Sequence, residues 1–184
     1  MNVSHIVWYS LAYPQAECGK CARYRIPRRG AFLFDRLIKF VATGFGSGLV
    51  PFAPGTAGTI VGIPIYLAFS QLSWIIYFVF VVAFTALACY VSNKAERMFG
   101  EKDTSIIVID EMVGFQWSMF LVAPTVLHVF IGFVLFRLFD ILKIFPAGYF
   151  HRRLPGGYGV VIDDVVAGMY TNIALLLIIK FWGI

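Results

Sequence analysis

The chain has 184 residues, of which 60% are hydrophobic and only 14% are charged. Soluble domains average about 45–50% apolar and about 25% charged residues, so this composition excludes disorder and argues against an ordinary soluble domain. No Asp, Glu, Lys or Arg occurs in the 54 residues between Lys39 and Lys94. As one helix they would extend about 81 Å, against a hydrocarbon core of about 30 Å. The segment must therefore fold back on itself, which predicts a polytopic membrane protein.

The net charge of +5 does not indicate a nucleic-acid partner, because the basic residues lie in the gaps between apolar segments. Retention of basic loops on the cytoplasmic side of a membrane produces this distribution, and anionic lipid headgroups reinforce it. We therefore expect a membrane as partner, no nucleic acid, and basic loops that face the cytoplasm. The oligomeric state is not indicated.

The patterns along the chain predict a basic N-terminal extension over residues 1–36 and one membrane-embedded domain over residues 37–184. The sequence FLFDRLIKFVA, which ends at Ala42, is typical of an amphipathic interfacial helix. A passage rich in glycine and proline follows at residues 43–59. Two antiparallel helices are then expected over residues 60–70 and 72–91. A hydrophilic loop or helix end should follow at residues 92–105.

The next apolar segment, Met112 to Phe136, has 25 uncharged residues with Pro124 near its middle. As a single span it would place Asp110 and Arg137 on opposite sides of the membrane. Each half is about 18 Å long, too short to cross alone. We therefore predict a helical hairpin that turns near Pro124, with its backbone sheltered by neighbouring helices. The predicted fold class is an all-α polytopic membrane bundle with short or re-entrant helical hairpins, closed by an apolar helix over residues 165–179.

Five acidic residues border the apolar segments and are the candidates for chemistry. A charge at the centre of a bilayer helix costs at least about 2.5–3.5 kcal/mol, so such residues are rarely without a role. The structural alternative is that they are interfacial helix starts, which the helix dipole favours. If they converge, their repulsion would raise their pKa values, and a hard divalent cation such as Mg²⁺ would relieve it. These residues are Asp110, Glu111, Asp140, Asp163 and Asp164.

Basic and glycine-rich motifs complete the candidate site. Arg137, Asp140 and Lys143 fall within an arc of about 120° on a helix, so all three can face one site. The guanidinium fork matches phosphate geometry, although a simple i,i+3 ladder of charges is the alternative. The passages GFGSG at 44–48 and PGTAGT at 54–59 allow close backbone approach, and N–H groups at a helix start bind anions. Tight turns and close helix packing are the alternative for these glycines.

Four motifs occur together in the order GFGSGLVPFAPGTAGT, IDEMVG, RLFDILKIFP and GGYGVVIDDVVAG. This set resembles the phosphatidylglycerophosphatase A family over roughly residues 37–180. The resemblance implies a mainly helical enzyme of the bacterial inner membrane. It further implies Mg²⁺-dependent hydrolysis of phosphatidylglycerophosphate to phosphatidylglycerol and phosphate. Two departures from the family pattern are Ile144, where a proline commonly follows the lysine, and His151, where an acid is often found.

The resemblance, together with the chemistry of the side chains, assigns roles to the matching positions. The nucleophile remains open between water and a carboxylate. We expect Mg²⁺ to be held by Asp110, Glu111, Asp140 and Asp164. We expect catalysis by Asp110, Glu111, Asp163 and Asp164, and binding of the phospholipid substrate by Gly46, Gly55, Thr56, Arg137 and Lys143.

Two other functions are compatible with the same residues. A small transporter or ion-binding membrane subunit also uses paired intramembrane acids. Acids at the middle of the segments would favour it, whereas acids at segment ends, as here, favour an interfacial enzyme. A phosphotransferase that moves a phosphoryl-alcohol group between lipids would release a nucleotide.

Overall fold

The computed structural model describes residues 29–100, 104–142 and 156–183, with side chains from Leu33 onward. The chain divides into two units, Met1–Phe32 and Leu33–Ile184, and almost all described residues belong to the second. Six α-helices and one short 3₁₀ helix, Ser47–Leu49, are present, and the described ranges contain no strand. The predicted all-α class is confirmed. The helices are α1 (Arg29–Ala42), α2 (Pro54–Phe69), α3 (Trp74–Phe99), α4 (Ile109–Ser118), α5 (Val126–Leu142) and α6 (Gly157–Trp182).

Two helices, α3 and α6, are long and apolar enough to cross a membrane, and only 28% of the apolar window of each is buried inside the protein. Their outward sides carry large exposed apolar side chains, among them Phe78, Val79, Ile173 and Leu177. Continuous apolar surface of this kind marks contact with a membrane or a partner. The lengths and composition agree with the predicted membrane helical bundle. Helix α2 is also apolar but shorter, with 16 residues.

Three helix boundaries differ from the sequence prediction. Helix α2 begins at Pro54, not at residue 60, because proline suits the first helical turn, where its missing N–H is not needed. Helix α3 continues through the predicted loop to Phe99 and ends at Gly100, which adopts the left-handed conformation (φ 74°) that ends many helices. Helix α6 begins at Gly157, so the pair Asp163–Asp164 lies in its second turn and not at its start.

The predicted hairpin near Pro124 is confirmed as a break between two short helices. Helix α4 ends at Ser118 and α5 begins at Val126. The Thr125 hydroxyl accepts a hydrogen bond from the backbone N–H of His128 at 3.1 Å, so it caps the first turn of α5. The start of α4 and the C-terminal part of α5 lie close together, since a Cβ added to Gly55 would meet both Glu111 of α4 and Arg137 of α5.

Neighbouring helices supply the hydrogen bonds that the hairpin backbone cannot make itself. The Tyr66 hydroxyl donates to the Val122 carbonyl at 2.7 Å, and the Tyr77 hydroxyl donates to the Gln116 carbonyl at 2.9 Å. The Asn172 amide donates to the carbonyls of Ser118 at 3.0 Å and Phe120 at 2.6 Å. Without water, each unsatisfied carbonyl would cost several kcal/mol. These side chains therefore make an interrupted helix possible inside the helical bundle.

Glycines bring α4 and α6 into backbone contact. A Cβ added to Gly168 would overlap the carbonyl oxygen of Gly114, and a Cβ added to Gly114 would lie 2.7 Å from the carbonyl oxygen of Asp164. Small residues of this kind permit close helix crossings in membrane proteins. The core beside this crossing includes Phe115 and Phe136, whose ring centroids are 6.4 Å apart. The crossing holds the start of α4 against the second turn of α6.

We expect Tyr66→Phe and Tyr77→Phe each to lower the unfolding free energy by about 1–3 kcal/mol, because each leaves a buried carbonyl unsatisfied. Tyr90→Phe is the matched control, since Tyr90 is 51% exposed and should tolerate the change. Thermal unfolding of the purified proteins in detergent measures the effect. Equal unfolding temperatures for all three variants would contradict the role of these hydroxyls in the hairpin.

Candidate metal and phosphate site

Three carboxylates from two helices converge at the start of α4. Asp110 and Glu111 lie in the first turn of α4, and Asp164 lies in the second turn of α6. One oxygen atom from each lies within 4.8 Å of the other two. This group, Asp110, Glu111 and Asp164, is called the carboxylate trio below. The sequence placed these acids at helix ends, and the close crossing of α4 and α6 is what brings them together.

Burial makes the charges of the trio costly without a counter-charge. Asp110 is 3% exposed and Asp164 is 5% exposed. Burial raises the pKa of Asp110 above its usual value. Burial also raises the pKa of Glu111 well above its usual value, and the neighbouring charges of Asp110 and Asp164 raise it further. A bound cation would reverse this effect by favouring the ionised forms.

The donor set of the trio fits a hard divalent cation. Carboxylate oxygens are the ligands that Mg²⁺ prefers. The Oε2 atom of Glu111 is buried and has no hydrogen-bond partner among the residues that the structure describes. A buried carboxylate oxygen without a donor is costly, and a metal ion would satisfy it. Three of the four predicted metal ligands therefore lie within reach of one ion.

Arg137 points spare donors toward the same place. Its Nη1 atom lies 2.8 Å from Asp140 Oδ2 in an i,i+3 ion pair. The direction of its N–H bonds does not make this a hydrogen bond, and Nε and Nη1 are both buried without an acceptor in the described parts of the chain. Buried guanidinium N–H groups call for acceptors. An anion beside Arg137 would provide them.

Gly55 leaves open the space between Arg137 and the trio. A Cβ added to Gly55 would lie 3.1 Å and 3.2 Å from the two terminal nitrogens of Arg137 and would overlap Oε1 of Glu111. A side chain at this position would therefore fill the space that separates the guanidinium from a carboxylate. Gly55 is the second residue of α2, so the positive end of the α2 dipole lies beside the same space.

The chain before α2 packs against the chain before α4 and fixes this arrangement. The Val108 N–H donates to the Ala42 carbonyl at 3.0 Å. A Cβ added to Gly48 would overlap the Ile106 carbonyl oxygen, and a Cβ added to Gly58 would lie 2.7 Å from Val108 Cβ. These close approaches hold the first turns of α2 and α4 side by side. The glycine-rich passage thus has a packing role in addition to any contact with substrate.

Two predicted acids lie beside the trio. Asp140 forms the ion pair with Arg137 and is close enough for its charge to act on Asp110 and Asp164. It therefore lies near both the guanidinium and the carboxylates. Asp163 is buried, and its charge acts on the adjacent Asp164. The roles of both residues stay predictions.

The remaining predicted residues are placed less closely. Gly46 has φ 96°, and nothing described lies within 4 Å of an added Cβ, so backbone conformation explains this glycine. Thr56 lies in the first turn of α2 and is half-buried. Thr59, in the same glycine-rich passage, donates its hydroxyl hydrogen bond to the Gly55 carbonyl of its own helix at 2.9 Å. Lys143 and His151 lie outside the described residues.

The sequence reasoning missed polar residues near the end of α3. Ser92 and Glu96 are buried and line a small cavity with Asp110. The sequence predicts a hydrophilic loop or helix end here, because the apolar pattern ends at Val91, and this polar stretch was not expected to be buried. Gly100, a helix-ending residue nine positions later, is the signal that could have extended α3 over them.

Comparisons with known proteins identify the family. A family model described as phosphatidylglycerophosphatase A matches residues 40–179. A phosphatidylglycerophosphatase A from Escherichia coli K12 is 36% identical over 144 residues, covering 77% of this chain and 83% of that protein. The Haemophilus influenzae protein of the same name is 40% identical over 151 residues, covering 79% of this chain and 90% of its own length.

A third relative has a different name. A Bacteroides thetaiotaomicron protein, provisionally named a phosphatidylinositol-3-phosphatase, is 42% identical over 146 residues and covers 73% of this chain and 89% of its own. No solved structure matches the chain. The family model covers the glycine-rich passage, the trio and Arg137. The chain therefore belongs to the phosphatidylglycerophosphatase A family and is an enzyme, a phosphoric monoester hydrolase.

Proposed function

We propose that this enzyme hydrolyses phosphatidylglycerophosphate to phosphatidylglycerol and phosphate in phospholipid biosynthesis, with Mg²⁺ as cofactor. The observation that carries the proposal is the pairing of two groups across the space beside Gly55. On one side, Arg137 presents buried N–H donors that have no acceptor among the residues that the structure describes. On the other side lies the carboxylate trio. A terminal phosphate and a divalent cation together would satisfy both.

The carboxylate trio would hold the Mg²⁺ ion. When bound, Mg²⁺ supplies Lewis-acid polarisation of the phosphoryl oxygens and charge neutralisation. Arg137 holds the phosphate by its fork of N–H groups, and Asp140 restrains the guanidinium through their ion pair. Gly55 keeps the space open for the phosphate, and the first turn of α2 adds its dipole. Asp163, or a trio carboxylate not engaged by the ion, would accept a proton from the attacking water or act as nucleophile.

The proposed orientation places the site at the cytoplasmic face of the bacterial inner membrane. Helices α3 and α6 are the two candidate spans, and Glu96 near the end of α3 and Asp164 near the start of α6 both lie close to Asp110. The site therefore lies at one end of the bundle. The basic residues Lys94 and Arg97 near the end of α3 favour the cytoplasm for that end. A lipid headgroup can reach it while the acyl chains stay in the bilayer.

The transporter alternative receives less support from the geometry. The trio lies in the first turn of α4 and the second turn of α6, not midway along a span, and Arg137 lies beside it. A fixed cation with anion-binding donors suits phosphoryl chemistry better than ion passage.

Phosphate release by the purified protein tests the proposal. Phosphatidylglycerophosphate in detergent micelles should release phosphate with Mg²⁺ and not with excess EDTA, and adding Mg²⁺ back should restore the rate. Phosphatidylinositol 3-phosphate is the comparison substrate, and we expect the lower kcat/KM for it. A faster reaction with the inositol lipid would overturn the substrate assignment, and full activity in EDTA would overturn the metal assignment.

We expect Asp110→Asn and Asp164→Asn each to lower kcat by at least about 10²-fold, because each removes a ligand needed in the transition state. Asp35→Asn is the matched control, since Asp35 is a half-exposed partner of Lys94 at 3.9 Å and should leave kcat unchanged. Near-normal turnover in both site variants would contradict the role of the trio.

The same Asp110→Asn variant should be more stable than wild type without metal at pH 8. Because burial raises the pKa of Asp110, the folded state holds this proton more tightly than the unfolded state, and metal-free stability falls as pH rises through the raised pKa. The amide removes that penalty. Thermal unfolding in EDTA at pH 5 and pH 8 measures it, and a lower unfolding temperature for the variant at pH 8 would contradict the electrostatic account.

Arg137→Ala should lower kcat/KM, with a loss of transition-state stabilisation of about 1.5–3 kcal/mol, the usual value of a charge-assisted hydrogen bond. Arg137→Lys should recover part of this loss, because it keeps the charge but not the fork. Arg97→Ala, at an exposed position in the last turn of α3, is the control and should match wild type. An Arg137→Ala enzyme with wild-type kcat/KM would show that the residue serves only the ion pair with Asp140.

A further inference from the structure

A small cavity with several polar residues in its lining lies beside Asp110, between α3, α6 and the chain that leads into α4. Its lining includes Ser92 and Glu96 of α3, Asp110 of α4, Gly157 of α6, and Thr104 in the chain before α4. Its volume is about 10 Å³, which is close to the minimum for one water molecule. Gly157 brings α6 against α3 here, since an added Cβ would lie 2.5 Å from the Asn93 backbone nitrogen.

The hydroxyl of Ser92 behaves differently from the other buried helical hydroxyls. Its residue is only 1% exposed, and its Oγ atom has no hydrogen-bond partner among the described residues. A buried helical hydroxyl normally bonds the carbonyl four residues earlier. Ser92 does not, which leaves its donor and acceptor capacity to the cavity that it lines. The buried residues Thr59, Ser118 and Thr171 and the half-buried Thr85 make this bond.

The hydrogen bonds described for Asp110 come from its own helix, from its own backbone and from Glu111. Within α4 its Oδ1 atom accepts a hydrogen bond from the Glu111 N–H at 3.2 Å, which is at the long end for such bonds. A metal ligand usually has a second partner that fixes its direction and tunes its affinity. The cavity is the place from which such a partner can reach Asp110.

We propose that this cavity holds one ordered water molecule that links Ser92 and Glu96 to Asp110 and positions the Asp110 carboxylate for metal binding. The water accepts a hydrogen bond from the Ser92 hydroxyl and donates one hydrogen bond to each carboxylate, that of Asp110 and that of Glu96. Three polar partners are typical of a buried water. Ser92 is then a positioning residue that acts through Asp110. This inference rests on the metal role of Asp110 in the proposed function.

Metal affinity, measured apart from turnover, tests the inference. Mn²⁺ is titrated into the purified full-length protein in detergent, and free Mn²⁺ is followed by its EPR signal. Ser92→Ala removes the hydroxyl, and Val160→Leu extends an apolar side chain from another wall of the cavity without changing a polar group. Ser118→Ala is the matched control, because its hydroxyl bonds the Gly114 carbonyl of its own helix at 2.9 Å.

We expect Ser92→Ala and Val160→Leu each to weaken Mn²⁺ binding by about 10-fold or more, the usual effect of losing an outer-shell partner, and Ser118→Ala to bind as wild type. Metal-free unfolding temperatures of all variants identify any general loss of folding. Wild-type Mn²⁺ affinity in Ser92→Ala, or in Val160→Leu if Ser92→Ala does not fold, would overturn the inference alone. Failure of the wild-type protein to bind Mn²⁺ would overturn the metal proposal and the inference together.

Discussion

The structure depends on one constraint, which is that an interrupted helix inside a membrane must have its free carbonyls satisfied by neighbours. Helices α4 and α5 are too short to cross, and the chain between them exposes backbone at both helix ends. Tyr66, Tyr77 and Asn172 reach this break from three other helices and donate to four of its carbonyls. Because the carbonyls at the break have hydrogen-bond donors, the chain can reverse direction there. Glu111 of α4 and Arg137 of α5 then both lie next to Gly55.

The return of the hairpin concentrates charge of both signs in a buried space. The carboxylate trio gathers negative charge where burial disfavours it, and Arg137 adds donors for which the described part of the chain offers no acceptor. Each group is unfavourable by itself, since buried polar groups need hydrogen-bond or charge partners. A phosphate ester and a divalent cation, bound together, have the charges and hydrogen-bonding groups that this space lacks. The buried charged groups that lower the stability of the protein without metal and phosphate are therefore the basis of its proposed activity.

Much of this arrangement was predictable from the sequence, because the strongest signals were absolute. An uncharged stretch of 54 residues is too long for one span and must fold back. A single span over Met112 to Phe136 would place Asp110 and Arg137 on opposite sides of the membrane, so a shared site requires a hairpin near Pro124. The helix starts were less predictable, since apolar periodicity does not show that Gly157 begins a helix six residues before Asp163. The convergence of Asp110 with Asp164 depends on the backbone contact of Gly114 and Gly168, which no local pattern contains.

Residues outside the motifs were the hardest to predict. Ser92 and Glu96 lie beyond the apolar run of α3, where a polar sequence resembles a loop, and only tertiary packing buries them. Arg137 and Asp140 were expected on one helix face, and their ion pair was the stated alternative to phosphate binding. The ion pair forms, and two buried nitrogens of Arg137 have no acceptor among the described residues, so phosphate binding stays a prediction beside the ion pair.

The most direct test of the account is the side of the membrane on which the two ends of the hairpin lie. Single cysteines at Ser105 before α4 and Leu142 at the end of α5, both exposed, can be introduced after replacement of Cys18, Cys21 and Cys89. An impermeant thiol reagent is applied to inside-out and right-side-out vesicles, with a cysteine at exposed Gln71, between α2 and α3, to report the opposite face. The account predicts that positions 105 and 142 are labelled from the same face and position 71 from the other. Labelling of positions 105 and 142 from opposite faces would contradict the hairpin and the shared site.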